Sequence, residues 1–368
     1  MSRREFLTKG GAAAVAAGAA SLSAPAIAQS DVIRWRCASS FPKAVEVLFG
    51  TAEMIARRVG QITGGKFQIS VHAAGEIVPP LQVLDAVEKG TIECNHTAPY
   101  YFIGKDPAWA IGTCVPFGLN SRQHNAWWVH GGGEKMFNDF SREMGVINFL
   151  AGNTGSQMGG WFKKELSALD DLRGLRMRIP GIGAEVLNVF GVKTDYSLND
   201  GKVIPADEIQ SRLSGGLLDA AEWIGPGDDV ALGLHKAKAP FYYAPGWWEP
   251  STTNELMVNR QRFEKLSPAH QKALETVCRS IYQWCQTEHD RRNMKALQQL
   301  KQNPEVKLRR FPPALMQAFE AESQRLLQEY ERQDPLGFGY VYGEWRSFRK
   351  SIRDTIAVTQ YQPDSPSG

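Results

Sequence analysis

Residues 31–95 read DVIRWRCASSFPKAVEVLFGTAEMIARRVGQITGGKFQISVHAAGEIVPPLQVLDAVEKGTIECN, and their pattern decides the fold class. Positions 33–38 alternate as a strand does, 45–62 carry helical spacing ended by Gly64-Gly65, and 66–72 read as a second strand. Pro79-Pro80 opens a helix that Gly90 stops, and 92–95 form a third strand. Strand, helix, strand, helix, strand with short connections is the signature of an open α/β sheet. In such sheets the ligand sits at the carboxyl ends of the strands.

Toward the C-terminus a second α/β block follows. Strands are expected at 146–150, 157–162, 175–179 and 219–223, with helices at 182–190 and 206–214. Residues 242–254, carrying Pro245-Gly246-Trp247-Trp248, look like a return crossing. Residues 268–302, 313–333 and 343–358 have 3.6-type spacing and few glycines, so the chain ends in long helices. The expected architecture is a two-lobed α/β protein: lobe one over 29–152, lobe two over 153–240, and 241–368 returning to lobe one. The final helices would brace both lobes and offer an oligomerisation surface, and the tail 362–368 should fray.

Toward the N-terminus, Ser2-Arg3-Arg4-Glu5-Phe6-Leu7-Thr8-Lys9 precedes an Ala/Gly-rich run, and Ala26-Ile27-Ala28 supplies a small-x-small cleavage site. Residues 1–28 are therefore expected to be a twin-arginine signal peptide, removed on export to the periplasm. The run is too short and too weakly apolar to be an anchor, which takes about 20 apolar residues. Losing Arg3, Arg4 and Lys9 with Glu5 lowers the net charge of +3 to about +1, which does not suggest a nucleic-acid partner. Cys37, Cys94, Cys114, Cys278 and Cys285 form no C-x-x-C, their odd number leaves a free thiol, and they read as small buried hydrophobes.

Motifs for catalysis fail on inspection. Gly181-Ile182-Gly183-Ala184-Glu185-Val186 has the setting of a dinucleotide fingerprint, but Val186 stands where the third small residue belongs. Its glycines read as a tight strand-to-helix turn. His96, His124 and His130 lack metal-ligand spacing, and there is no Gly-x-Ser-x-Gly elbow. What stands out is polar residues set in apolar surroundings. Arg178 ends a strand, where its fork suits a carboxylate, either a ligand's or an internal partner's. Glu222 between Ala221 and Trp223, and Glu249 after Trp247-Trp248, need a cation or donors if buried, and are ordinary surface acids if not. With the amide oxygen of Gln157 and a backbone carbonyl they would make a hard-oxygen cage suited to Na⁺ or Ca²⁺. Tyr100, at a strand end, is placed to meet a small ligand.

These residues resemble the solute-binding proteins of tripartite ATP-independent periplasmic (TRAP) transporters, in particular the branch that binds 2-oxo monocarboxylates such as pyruvate. The resemblance covers nearly the whole mature chain. It rests on Ala38-Ser39-Ser40-Phe41-Pro42-Lys43, Tyr100-Tyr101 before Gly104-Lys105-Asp106-Pro107, Gly152-Asn153-Thr154-Gly155 leading to Gln157-Met158-Gly159-Gly160-Trp161-Phe162, Gly174-Leu175-Arg176-Met177-Arg178, Asp219-Ala220-Ala221-Glu222-Trp223 and Pro245-Gly246-Trp247-Trp248-Glu249. It implies that Arg178 holds the solute carboxylate, that Tyr100 and Asn153 meet its oxo or hydroxy end, and that Gln157, Glu222, the Trp223 carbonyl and Glu249 hold a bridging cation. It also implies lobe closure, delivery to a membrane permease driven by an ion gradient, and a possible homodimer through the C-terminal helices. Two departures stand out: Ile204-Pro205-Ala206-Asp207 replaces a more usual Ile-Tyr-Pro-Ala, and Gly227 stands where an aromatic is common, which would enlarge the pocket. Alternative readings are a binding protein for a polyol, amino-acid derivative or aromatic acid, and an exported oxidoreductase.

Overall fold

The computed structural model describes residues 32–195 and 203–359, so the expected leader and frayed tail lie outside the described residues. The opening stretch folds as its pattern predicts, as β1 (Ile33–Ser39), α1 (Glu46–Ile62), β2 (Phe67–His72), α2 (Val83–Glu88) and β3 (Cys94–Thr97). Strands β2 and β3 run parallel to β1 on either side. Pro79 makes a turn with Gln82 rather than opening α2, which starts later than expected. Three helices then appear where none was expected: α3 (Trp109–Thr113), α4 (Ser121–His130) and α5 (Gly133–Arg142). Asn120 and Gln123 cap α4 reciprocally. Buried Trp109, Trp127, Trp128 and Phe137 make these helices a packing layer.

Next come β4 (Val146–Asn153), β5 (Gly160–Phe162), β6 (Arg176–Arg178), α6 (Gly181–Val189), β7 (Lys193–Thr194), α7 (Ala206–Ser214), β8 (Ala220–Ala221), α8 (Pro226–Ala231) and β9 (Phe241–Ala244). The chain ends with β10 (Thr253–Asn259), α9 (Arg260–Glu264), α10 (Pro268–Gln302), β11 (Lys307–Arg310), α11 (Pro313–Gln333) and α12 (Phe338–Thr359). The strands form two sheets, ordered β2-β1-β3-β10-β4 and β11-β9-β5-β8-β6-β7. The return to the first sheet is made by β10, while β9 and β11 pair in the second. Strands of the second sheet are shorter than expected; β8 stops at Ala221, so Glu222 and Trp223 leave the sheet.

Three connections join the sheets: 154–159, 245–252, and the run from β10 through α10 to β11; the first two bond to each other as a paired strap. Thr154 N–H donates to Thr252 O at 3.0 Å, and Gly246 N–H to Gln157 O at 3.0 Å. Helix α10 packs on β4 and α1 of the first lobe and on α8 of the second, so it spans the junction. Ser267 caps its start, accepting from His270 N–H. All five cysteines are free, and four of them are buried. No helix among the described residues is long and apolar enough to cross a membrane.

One face of the first sheet carries an unusual polar row. Register places Asn95 and Asn148 on either side of Met257, with Glu255 two residues along on the same face. All three are fully buried, and none of their side-chain nitrogens or oxygens has a hydrogen-bond partner. Burial pushes the Glu255 carboxyl well above its ordinary 4.5. Above pH 4.5 the unfolded chain sheds a proton that the folded chain keeps, so this group costs stability progressively as pH rises. Glu255→Gln should therefore shrink the loss of thermal stability between pH 5 and pH 8; a variant whose loss matches the wild type would overturn this account.

Candidate functional site

Strands β6 and β8 run side by side with Arg178 level with Ala221, so Arg178 and Glu222 emerge together at their carboxyl ends. Each is 1% exposed, and Arg178 Nη1 donates to Glu222 Oε1 in a buried ion pair. Arg178 Nε donates to Ile204 O at 3.2 Å, and its guanidinium lies 5.2 Å from the Trp223 ring centroid. Burial opposes its charge, yet the Glu222 carboxylate holds the guanidinium above its ordinary value. Burial pushes the Glu222 carboxyl up; Arg178 pulls it down and Glu249 pushes it up again. The neighbouring Arg176 faces outward and pairs with Asp219 through two 2.8 Å bonds, which brings Asp219 down to about 2.

Gln157 and Glu249 come from the connections between lobes, while Tyr100 follows β3 in the first sheet. Gln157 Nε2 donates to Thr154 Oγ1 at 2.9 Å and to Thr252 Oγ1 at 2.7 Å, and Thr252 Oγ1 donates to Glu249 Oε2 at 2.9 Å. Burial raises the Glu249 carboxyl to about 7, against the pull of the Thr252 hydroxyl, the Arg178 charge, and the Tyr100 hydroxyl and Gln157 side chain. Tyr100, Gln157, Trp223 and Glu249 wall one cavity of about 10 Å³. Tyr100 and Glu249 also wall a second, with Trp248 and Gly183. Gly183 lets α6 approach the strap, since a Cβ there would sit 2.8 Å from Trp248 Cβ. Arg178 and Trp223 line a larger cleft of about 210 Å³ between the lobes, with Ser40, Pro42, Leu81 and Tyr101 on one side and Val203, Pro205, Ala206 and Asp207 on the other.

The structure thus brings Tyr100, Gln157, Arg178, Glu222, Trp223 and Glu249 to one junction. Asn153 ends β4 close by, but its side chain is engaged within the protein: Oδ1 accepts from Gly155 N–H at 2.8 Å, and Nδ2 donates to Thr253 Oγ1 at 3.0 Å. Gly227 does not enlarge the cleft. It abuts α10, where a Cβ would meet Arg292 Cβ at 3.1 Å, and its N–H donates to Asn293 Oδ1 at 2.9 Å. Sequence reasoning missed Tyr101, Thr154, Thr252 and Asp195. Asp195 receives Ile179 N–H at 3.1 Å and Ile204 N–H at 2.6 Å, fixing both chain segments around Arg178. His96 is structural, its Nε2 lying 2.9 Å from Ala151 O, and burial lowers it to about 4.

Two buried oxygens, Gln157 Oε1 and Glu222 Oε2, have no partner within the protein. Unpaired acceptors beside Glu249 fit a hard cation. Arg178→Ala would strip Glu222 of its buried partner and so weaken the fold as well as the site. Loss of one partner of such a pair costs roughly 3–5 kcal/mol. Urea unfolding of Arg178→Ala should show that loss, and Glu222→Gln in the same chain should recover part of it; an unaltered midpoint would refute the pairing.

Comparison with known proteins bears on the family and the fold. The bacterial extracellular solute-binding protein family 7 matches residues 38–333. A monocarboxylate 2-oxoacid-binding periplasmic protein of Nostoc sp. is 43% identical over 96% of this chain and 95% of its own. A TRAP transporter solute-binding protein of Bordetella bronchiseptica, solved as a mixed-occupancy dimer with calcium and picolinate, is 40% identical with a TM-score of 0.85, covering 89% of this chain and 95% of that one. A TRAP periplasmic solute-binding protein of Pseudoalteromonas atlantica with bound sodium and pyruvate is 31% identical with a TM-score of 0.83, covering 89% and 97%. With two sheets joined by a paired strap and a family match spanning both lobes, the chain belongs to family 7 of the bacterial extracellular solute-binding proteins, the DctP family of TRAP transport.

Proposed function

We propose that this chain binds a small 2-oxo or 2-hydroxy monocarboxylate in the periplasm, with a cation bridging protein and solute, and delivers it to a TRAP permease. The observation that carries this reading is the pair of orphaned oxygens, Gln157 Oε1 and Glu222 Oε2, set between Arg178 and Glu249. Relatives found with pyruvate and sodium, or with picolinate and calcium, support the solute class and the choice between Na⁺ and Ca²⁺. In this reading 29–152 and 153–240 are the lobes and 241–368 returns to brace them, export is by the twin-arginine route, and two copies meet through the C-terminal helices.

Gln157, Glu222, the Trp223 carbonyl and Glu249 are the groups that would hold the cation, which supplies positive charge to a site rich in carboxylate. Arg178 clamps the solute carboxylate, and burial makes that contact strong because water competes little. Tyr100 offers its hydroxyl to the oxo or hydroxy oxygen, while Asn153 holds the 153–155 turn from behind. Ionised Arg178, Glu222 and Glu249 sum to one negative charge, and a monocarboxylate adds a second. A divalent ion therefore neutralises the loaded site with Glu249 ionised, whereas a monovalent ion leaves room for its proton. Leu81, Val203, Pro205 and Ala206 beside Arg178 give the solute's carbon chain an apolar wall.

Thermal-shift titration of protein unfolded, stripped and refolded should show a cation-dependent rise with pyruvate or a longer 2-oxo acid, since a ligand binding only the native state stabilises it. No rise with any carboxylate would sink the assignment. The Glu249 carboxyl, raised to about 7, must shed its proton to meet a divalent ion, so affinity for Ca²⁺ with pyruvate should strengthen with rising pH. Calorimetry at pH 6 and pH 8 should differ by about tenfold. Glu249→Gln should weaken binding and abolish the difference; a pH dependence that survives it would assign the proton elsewhere.

A further inference from the structure

The C-terminal helix reaches the site through a single strained residue. Phe117 has a φ of 54°, a left-handed conformation that bulky side chains rarely adopt. Its carbonyl accepts from Arg349 Nη2 at 2.6 Å and from Arg353 Nη2 at 2.7 Å. Trp345, Arg349 and Arg353 are spaced four apart, so all three lie on one face of α12. Trp345 packs against the next residue, Gly118, where a Cβ would come within 3.1 Å of its ring. Two guanidiniums thus converge on one carbonyl, and Arg349 also lies over the Trp345 ring at 5.8 Å.

The other side of Phe117 faces the strap. Its N–H donates to Trp247 O at 2.7 Å, and its ring stacks on Trp247 with centroids 5.5 Å apart. Trp247 in turn meets Trp248 edge-on at 5.0 Å and stacks on Phe319 at 4.7 Å. Trp248 and Glu249 wall a site cavity together with Pro116 and Cys114, which lie one and three residues before Phe117 in the chain. The same short segment therefore forms a cavity wall at one end and is clamped by α12 at the other.

We propose that Arg349 and Arg353 are positioning residues for the solute site: by holding Phe117 in its left-handed conformation they set the strap that presents Trp248 and Glu249. Neither arginine touches the solute, and the inference relies on the proposed function only for what the site binds. Replacing both arginines by methionine keeps helix propensity and much of the aliphatic packing while removing the clamp. Hydrogen exchange across 245–250 in ligand-free protein should accelerate in Arg349→Met/Arg353→Met, and affinity for pyruvate with Ca²⁺ should fall by about fivefold. Phe117→Gly supplies the decisive comparison. Glycine takes this φ without help and carries no ring to stack, so adding the arginine changes to Phe117→Gly should have no further effect on either readout. Arg353→Met alone removes only the exposed guanidinium and gives the same test in a folded chain should the double variant fail to fold. Unchanged exchange and affinity, or effects that add fully to those of Phe117→Gly, would overturn the proposal. Wild-type protein that binds no carboxylate would instead defeat the functional reading, and the exchange measurement would still decide this one.

Discussion

The ion pair between Arg178 and Glu222 is the constraint around which the second lobe is organised. Two opposite charges at 1% exposure have given up their hydration, and their mutual attraction offsets that cost only if the remaining donors and acceptors are placed. The surroundings do this piece by piece. Ile204 O takes the Arg178 Nε, Asp195 pins the backbone on both sides, and the Trp223 ring lies beside the guanidinium. What is left over is Glu222 Oε2. A fold that satisfies so much around the pair and leaves one carboxylate oxygen bare has placed its unmet bonding capacity where a ligand belongs.

The strap extends the same logic between lobes. Because 154–159 and 245–252 bond to each other, the two connections behave as one element rather than two independent loops. Thr154, Gln157, Thr252 and Glu249 form a chain of hydrogen bonds along it, so Glu249 is positioned by residues from both crossings. Movement of one lobe against the other must pass through this element and through α10, and a ligand that touched both Glu222 and Glu249 would touch the lobe and the strap at once. That is the geometry in which occupancy can bias closure.

The sequence was most legible where structure is local. The bounds of α7, α10 and α11 follow from spacing, a Ser267 cap and prolines at the starts of α10 and α11, all readable within a few residues. The second sheet was legible only in outline, because strands of two to four residues are held by partners distant in the chain. Strand β11 went unread because Lys307, Arg309 and Arg310 look like surface, and it exists through parallel pairing to β9. Helices α3 to α5 hid behind aromatic residues that blur the helical period. At the site, Arg178, Glu222 and Glu249 announced themselves as charges within apolar runs. Tyr101, Thr154 and Thr252 are ordinary residues whose importance comes from where the fold puts them.

Selectivity and cation dependence then become one property. Glu222 neutralises Arg178 from within the protein, so a solute carboxylate bound at Arg178 would have to share or displace that partner. Sharing leaves the buried site with excess negative charge, a state that low polarisability penalises heavily. A positive ion beside Glu222 and Glu249 would remove the excess, and burial, which pushes both carboxyls up, offers proton uptake as the alternative. A neutral polyol brings no charge to exchange for the Arg178 to Glu222 contact, so it would have to leave that pair intact and compete with nothing but water. The same internal ion pair would therefore favour a carboxylate with its cation over either alone.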